Sequence, residues 1–289
     1  MQNKKIDKDV KLVKSLKGLA EAYEEISVTK MQRVRGKVLS SRDYLTELSR
    51  VFTNVKANYK AEIARFMNKK HNKGVLSFSP LGGNGKYMAI LLSSNSKLYG
   101  DIGRKVFDLF IANIERDNPD IYIVGKVGRE LFDASGIRKK YRYIDFPETK
   151  EEEAELAPFF KILDQYENVN VFHGQFMNVL NQQALVSNVT GTQGLTSGEP
   201  GNENVRFFFE PSIEKVLELF ENQIFASLFK QTLHESELSH VASRIRQMET
   251  ALQNIGDYEK KLERLKKRAH KRMEGAKQIQ RLSGMRLWR

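Results

Sequence analysis

The last third of the chain carries an apolar repeat that constrains the fold more than any other feature. No Pro follows Pro211, and apolar residues recur at steps of three and four that average about 3.5 residues. That period is typical of a coiled coil, whereas a single packed helix follows 3.6. The predicted seam residues of this helix are Val241, Ile245, Met248, Leu252, Ile255, Leu262 and Leu265. A narrow apolar stripe on so long a helix needs a covering helix, so segment 211–289 predicts one half of a coiled coil.

The N-terminal segment, residues 1–60, predicts the second helix. It has no Pro between Lys8 and Tyr59, and its apolar residues follow helical spacing. These residues include Leu12, Leu16, Leu19, Tyr23, Ile26, Met31, Val34 and Val38, of which Ile26, Met31 and Val34 are the predicted seam. The simplest arrangement is an antiparallel hairpin in which Val51 faces Ile224 and the outer surface is mostly polar.

The middle of the chain, residues 75–210, has the pattern of a mixed α/β domain. Continuous apolar runs at Tyr87–Ser94 and Ile121–Val124 predict buried strands, and a helical pattern lies between them. A strand near 141–146 and an alternating run that ends at Asn178 follow. The predicted fold is therefore a long antiparallel coiled coil of the terminal helices with a central Rossmann-like α/β domain.

Composition limits the possible partners and the compartment. The net charge is +12 and the sequence pI is about 9.6, which predicts an acidic partner such as nucleic acid, an anionic membrane surface or an acidic protein. The chain has no Cys, and we find neither a signal-peptide pattern nor an apolar run long enough to span a membrane. We therefore expect a cytoplasmic protein.

The sequence predicts no catalytic, cofactor-binding or metal site. The run GGNGKY ending at Tyr87 resembles a phosphate-binding loop, but it is too short and lacks the hydroxyl residue after Lys86. The glycines Gly125 and Gly128 follow a strand and precede a helix, which is more typical of a plain βα turn than of a dinucleotide site. His234 and His240 are six residues apart, so they do not share a helix face as metal ligands would.

Several segments resemble the gamma subunit of F-type rotary ATPases. They cover nearly the whole chain in order: ISVTKMQRVRGKVLSSRDYLTEL (26–48), LLSSNSKLYGDIGRKVF (91–107), IYIVGKVGRELF (121–132), FFFEPS (207–212) and SHVASRIRQMETALQNIGDYEKKLERLKKRA (239–269). The resemblance implies a central rotor shaft that couples ATP hydrolysis or synthesis in a surrounding ring to rotation. In that role Lys30, Met31 and Arg33 are expected partner contacts.

The resemblance also implies the partners. They would be three alpha and three beta subunits per shaft, with an epsilon-like subunit and a membrane rotor as further candidates, at the cytoplasmic face of the cell membrane. ATP and Mg²⁺ would bind to the alpha and beta subunits and not to this chain, which would be a non-catalytic subunit.

Departures from the family pattern leave alternatives open. Tyr23 and Glu25 replace two family methionines, and the glycine-rich family segment is reduced at 95–101. These changes favour a divergent member serving an F1-like ATPase, with a link to motility as one possibility, but a proton-driven synthase stays open.

A basic surface follows Gly256, with twelve Lys or Arg against four Asp or Glu. It either contacts acidic partner surfaces or only keeps the helix soluble. The predicted contact residues there are Lys266, Lys267, Arg268, His270, Lys271 and Arg272. A basic coiled-coil protein that binds nucleic acid is the alternative function.

Overall fold

The structure is a computed structural model that describes residues 2–58, 86–116, 118–147, 159, 162–163, 166–190 and 213–286. In chain order the elements are α1 (Gln2–Asn58), β1 (Tyr87–Leu92), α2 (Ile102–Ile114), β2 (Asp120–Val124), α3 (Lys126–Ala134), β3 (Tyr141–Ile144), β4 (Asn168–Phe176), β5 (Gln182–Asn188) and α4 (Ile213–Arg286). The glycine turn before Lys86 and the segment 191–212 lie outside the described residues. The bounds predicted for the middle domain and for both terminal segments therefore fall partly outside them.

Two compact units divide the chain. One contains residues 1–29 and 244–289, and the other contains residues 30–243. Each unit includes part of α1, which is 57 residues long, and part of α4, which is 74 residues long.

A five-stranded sheet forms the centre of the larger unit, in the order β3-β2-β1-β4-β5. Strands β3, β2, β1 and β4 are parallel, and β5 returns antiparallel to β4 through a short turn. The predicted βαβ unit is confirmed as β1-α2-β2. Strand β5 was not predicted, because QQALVSN has too weak an apolar alternation to stand out.

Both faces of the sheet are buried, which is why β1 reads as a continuous apolar run. Met88, Ile90 and Leu92 point to one face, which packs against α4 through Phe225 and Phe229. The other face packs against α2 and α3, through residues that include Ala89, Leu91, Phe110, Phe132 and Phe172. The predicted Rossmann-like domain is therefore confirmed, and the C-terminal helix supplies one of its layers.

The terminal helices pair antiparallel in the larger unit. Phe52 and Val55 of α1 pack with Ile224 of α4, and Val51 contacts the same cluster. At the other end, Val34 and Val38 pack with Leu238. As the residue number rises on α1 it falls on α4, so the predicted hairpin with Val51 opposite Ile224 is confirmed.

The smaller unit is also an antiparallel helix pair. Two ion pairs join its helices, one between Lys17 and Glu259 at 3.9 Å and one between Asp7 and Lys266 at 2.8 Å, and the residue number rises on one helix as it falls on the other. Of the predicted seam residues of α4 in this unit, Met248 and Leu262 are buried, and Leu252 and Ile255 are half-buried.

The seam of α1 in this unit differs from the prediction. Val13, Ala20 and Ser27 are buried, whereas Ile26 is 59% exposed and is not a seam residue. Two stripes with the same period lie one residue apart on this helix. The sequence predicts that the more apolar stripe faces α4, but in the structure the less apolar one does.

Leu265, the last of the predicted seam residues, is 41% exposed. Beside it Lys266 pairs with Asp7 of α1 at 2.8 Å, although both side chains are exposed, and Ala269 is half-buried. At this end the two helices therefore meet through an exposed ion pair and not through a buried Leu265.

Paired cysteines test the helix pairing, because the natural chain has none. We expect the variant V51C/I224C to form a disulfide within one chain, since both side chains belong to one cluster. Non-reducing electrophoresis and peptide mapping give the result. The control V51C/L238C joins residues of two separate clusters and should form none. Disulfides only between chains would contradict the hairpin.

Candidate functional site

Two buried carboxylates hold α1 and α4 together in the larger unit. Glu237 forms an ion pair with Lys30 at 3.0 Å, and Glu235 forms one with Arg42 at 2.6 Å. Arg42 uses both Nε and Nη2 on the same Oε1 oxygen, which fixes the guanidinium plane. A carboxylate that is nine-tenths covered needs such a partner, since an unpaired charge there would lose its hydration. These ion pairs therefore oppose sliding of one helix along the other.

Small residues let α4 approach the sheet closely. A Cβ on Gly174 of β4 would lie 2.6 Å from Ser239 Oγ, and a Cβ on Gly100 would lie 2.5 Å from Ser243 Oγ. Ser239 and Ser243 are fully buried. Beside them the rings of Tyr99 and His240 pack at 5.4 Å. The backbone at Gly174 and Gly100 therefore packs directly against serine side chains of α4. So close a contact leaves little room for α4 to move relative to the sheet domain.

At the βα turn of Gly125 and Gly128, which the sequence analysis compared with a dinucleotide site, the chain itself supplies hydrogen-bond acceptors for the amides at the start of α3. The first three amides of α3 donate to Asn95 Oδ1, to the Ser94 carbonyl and to Ser93 Oγ, respectively. The Gly125 amide donates to the Ile144 carbonyl. An anion at this helix start would have to displace those bonds.

His173 is buried on β4 between the sheet and α4. Its Nε2 lies 2.8 Å from Ser187 Oγ and its Nδ1 lies 3.2 Å from the Gly174 carbonyl. Burial lowers the pKa of His173, although the Gly174 carbonyl and the Glu235 charge act in the opposite direction. The ring is therefore held neutral at physiological pH.

The three predicted partner contacts on α1 differ in how accessible their side chains are. Lys30 pairs with Glu237 within the chain, so its charge stabilises the helix pair. Met31 is half-buried against Val34 and Val38. Arg33 is exposed. Their contact with another subunit stays a prediction, and of the three Arg33 is the most accessible.

The basic end of α4 is mostly exposed in the smaller unit. Lys266 pairs with Asp7, and His270 lies 3.0 Å from Glu274. Asp7, Lys266 and His270 border a groove together with Lys267 and Glu263. The other predicted contact residues, Arg268, Lys271 and Arg272, are exposed.

Sequence reasoning missed the buried Glu235 and Glu237 and the glycine–serine contacts. The residues on the α1 side, Lys30 and Arg42, did stand out, because they lie in the segments that resemble the gamma subunit. One signal of the seam shift was available: the step of five between Ile26 and Met31, which breaks the repeat of three and four.

The described residues were also compared with the patterns of metal sites and membrane-spanning helices. Among them, no group of three or more His, Asp or Glu side chains is arranged to hold a metal ion. Within the same residues, no helix combines the length and the apolarity needed to cross a membrane.

Comparison with known proteins identifies relatives that match the chain over most of its length. A family model described as ATP synthase matches residues 2–272. The ATP synthase gamma chain of Ruthia magnifica subsp. Calyptogena magnifica is 23% identical over 269 residues, which is 90% of each chain. That of Mycoplasmopsis pulmonis is 21% identical over 255 residues, or 86% of each chain.

Solved structures show the same fold. The chain superimposes on one from the central stalk and c-ring of Tetrahymena thermophila mitochondrial ATP synthase with a TM-score of 0.55 and 15% identity, covering 81% of this chain and 99% of that one. A chain of Euglena gracilis mitochondrial ATP synthase gives a TM-score of 0.52 and 14% identity, over 89% and 94%.

The turn at Gly125 gives a stability prediction. Gly125 has φ of 99°, and a Cβ there would lie 2.6 Å from the Ser93 carbonyl oxygen. We expect Gly125→Ala to reduce the free energy of unfolding of the sheet domain by about 1–3 kcal/mol, the cost of such backbone strain. Urea unfolding followed by tyrosine fluorescence measures it. The control Gly103→Ala has open space around its Cβ and should be neutral or slightly stabilising. Equal effects would contradict the packing described.

The buried His173 gives a pH prediction. Since its pKa is lower in the folded chain than in the unfolded one, the unfolded state binds more protons as the pH falls below about 6.5. Stability should therefore be full above that pH and should decline below it until the folded pKa is reached. We expect His173→Gln to flatten this decline between pH 7.5 and 5.5 in urea titrations. An unchanged slope would show that His173 is not the responsible group.

Proposed function

Since the chain belongs to the ATP synthase family, we propose that it is the gamma subunit and central rotor shaft of an F1-type rotary ATPase or ATP synthase. The observation that carries the proposal is the family match over residues 2–272, which takes in α1, the sheet domain and most of α4. A match to the helices alone would fit any coiled coil.

The contacts within the chain suit a shaft. Torque acts to slide and twist paired helices past each other. The ion pairs of Glu235 and Glu237 and the close Gly174–Ser239 contact resist that displacement in the larger unit. Because α4 also forms a layer of the sheet domain, a load on that domain would be passed directly to the helix.

We further propose the partners and their chemistry. Three alpha and three beta subunits would surround each shaft and would hold ATP and Mg²⁺, so that this chain carries no catalytic residue. An epsilon-like subunit and a membrane rotor would complete the assembly at the cytoplasmic face of the cell membrane. The low identity to the relatives, 21 to 23%, supports a divergent member of the family. A divergent F1-like ATPase is the complex we propose, with a link to motility as one such use.

The alternative, a coiled-coil protein that binds nucleic acid through its basic helix, is not favoured by these relatives. Native mass spectrometry of the complex purified from its own cells separates the two. We expect one copy of this chain for three copies of each of two larger subunits, and nucleotide hydrolysis by the complex. Recovery with nucleic acid, and binding that weakens steeply with salt, would contradict the proposal.

Charge reversal tests the basic end of α4. Exposed ion pairs contribute only about 0.2–1 kcal/mol each, so single changes should have little effect. We expect the triple variant K267E/R268E/K271E to assemble normally but to change ATP turnover and its salt dependence. The matched control K126E/R138E/K140E reverses three exposed charges of the sheet domain and should leave turnover near wild type. Turnover that is unchanged in both variants would show that the basic surface only keeps the helix soluble.

A further inference from the structure

The β3 end of the sheet carries a cluster of basic side chains. Residues 126–144 contain six Lys or Arg against two acidic residues. One of the six, Lys139, is half-buried, and its Nζ donates to the Ile114 carbonyl at the end of α2. The other five are exposed, and we call them the basic edge. They are Lys126, Arg129, Arg138, Lys140 and Arg142.

Side-chain contacts bring α3 and β3 together as one surface. The Arg129 guanidinium of α3 lies over the Tyr143 ring of β3, 4.4 Å from its centre. The Tyr141 hydroxyl of β3 donates to Asp133 of α3 at 2.7 Å. Lys126 precedes Arg129 by three residues and therefore lies on the same face of α3. The basic side chains of the helix and of the strand thus line the same end of the sheet.

Little negative charge offsets the basic edge. Of the two acidic residues in the segment, Glu130 forms an ion pair with Lys97 at 2.9 Å. Lys126, Arg138 and Lys140 form no ion pair with any residue that the structure describes. Their charge is therefore available to attract an anionic partner.

The absence of apolar side chains from this surface narrows the class of partner. In residues 118–147, all of which the structure describes, no large apolar side chain is among the exposed ones. A stable interface with another protein has an apolar or aromatic centre that becomes buried. A surface that presents Lys and Arg alone is better suited to a partner that binds through charge, such as a layer of phosphates.

The two tyrosines of β3 argue against single-stranded nucleic acid as that partner. Such strands bind by stacking their bases on open aromatic rings. The Tyr143 ring is already covered by Arg129, and the Tyr141 ring packs edge-on with Phe132 at 5.1 Å. Both tyrosines are half-buried. The basic edge therefore offers charge without a stacking surface.

We propose that the basic edge binds the anionic phospholipid headgroups of a membrane surface directly. Each Lys or Arg near an anionic leaflet raises the affinity roughly fivefold, so five of them together give substantial binding. Lipids diffuse within the leaflet, so this contact does not fix the rotational position of the subunit. In the rotor-shaft proposal other subunits reach the membrane. Direct lipid binding goes beyond that proposal, and its failure would leave the shaft assignment intact.

A fluorophore placed beside the basic edge locates the contact. Because the chain has no Cys, Ser135→Cys in the loop after α3 can be labelled alone. Vesicles of phosphatidylcholine and phosphatidylglycerol with a nitroxide quencher on the headgroup should quench this label in the full chain. The control Gln183→Cys is exposed on β5, at the opposite end of the sheet, and should be quenched much less. Equal quenching at both positions, or none at the first, would overturn the proposal.

Variants that carry the same label measure the contribution of the basic edge. R138Q/K140Q removes two exposed charges, so the fold should persist in circular dichroism. We expect half-maximal quenching to need at least tenfold more lipid. The matched control R104Q/K105Q removes two exposed charges of α2 that already pair with nearby carboxylates, and should behave as the wild type does. An unchanged lipid requirement in the first variant would contradict direct binding.

Competing anions distinguish a lipid surface from other sources of phosphate. Vesicles of phosphatidylcholine alone should leave the label unquenched, and salt should weaken the binding to anionic vesicles. Inorganic phosphate should displace these vesicles no better than chloride at the same ionic strength. Preferential displacement by inorganic phosphate would indicate a site for a single phosphate. Single-stranded RNA that binds more tightly than the vesicles would indicate a nucleic-acid site. Either result, or quenching by the neutral vesicles, would overturn the proposal.

Discussion

The antiparallel pairing of the two terminal helices is the constraint on which the rest of the structure depends. Neither α1 nor α4 can bury its apolar stripe alone, and each therefore needs the other. In the larger unit the pair is locked by apolar clusters at Val34 and Phe52 and by the carboxylates of Glu235 and Glu237 between them. Apolar contacts provide the free energy, while the ion pairs fix the register, because a slip would leave buried carboxylates unpaired.

The sheet domain depends on the same helix. One face of the sheet is covered by α4, and the contacts of Gly174 and Gly100 with serines bring the two backbones together. A domain attached by flexible linkers could turn independently of its helices. Here α4 is both one helix of the coiled coil and a layer of the domain core. The coiled coil and the sheet domain therefore cannot separate without exposing that core. This arrangement is what a load-bearing subunit of a rotary machine requires.

The architecture could be predicted from the sequence because helices and strands leave a periodic pattern of apolar residues. Apolar runs and heptads identified both helices, β1, β2 and the hairpin, and the order of short motifs indicated the family. Of the predicted seam residues, Val34 and Met248 are buried whereas Ile26 is exposed, because period alone cannot choose between two stripes one residue apart. The partners of Lys30 and Arg42 could not be predicted either. Ion pairs and glycine–serine contacts join residues that are distant in sequence, and no local pattern records them.

The most direct test of the account is rotation of this subunit within its complex. A cysteine introduced at the exposed Lys140 would attach a bead to the sheet domain, and the surrounding ring would be fixed to a surface. The account predicts that the bead turns in one direction when ATP is supplied and stops when it is removed. A complex that hydrolyses ATP at its normal rate while the bead stays still would contradict the central claim that this chain is a rotor shaft.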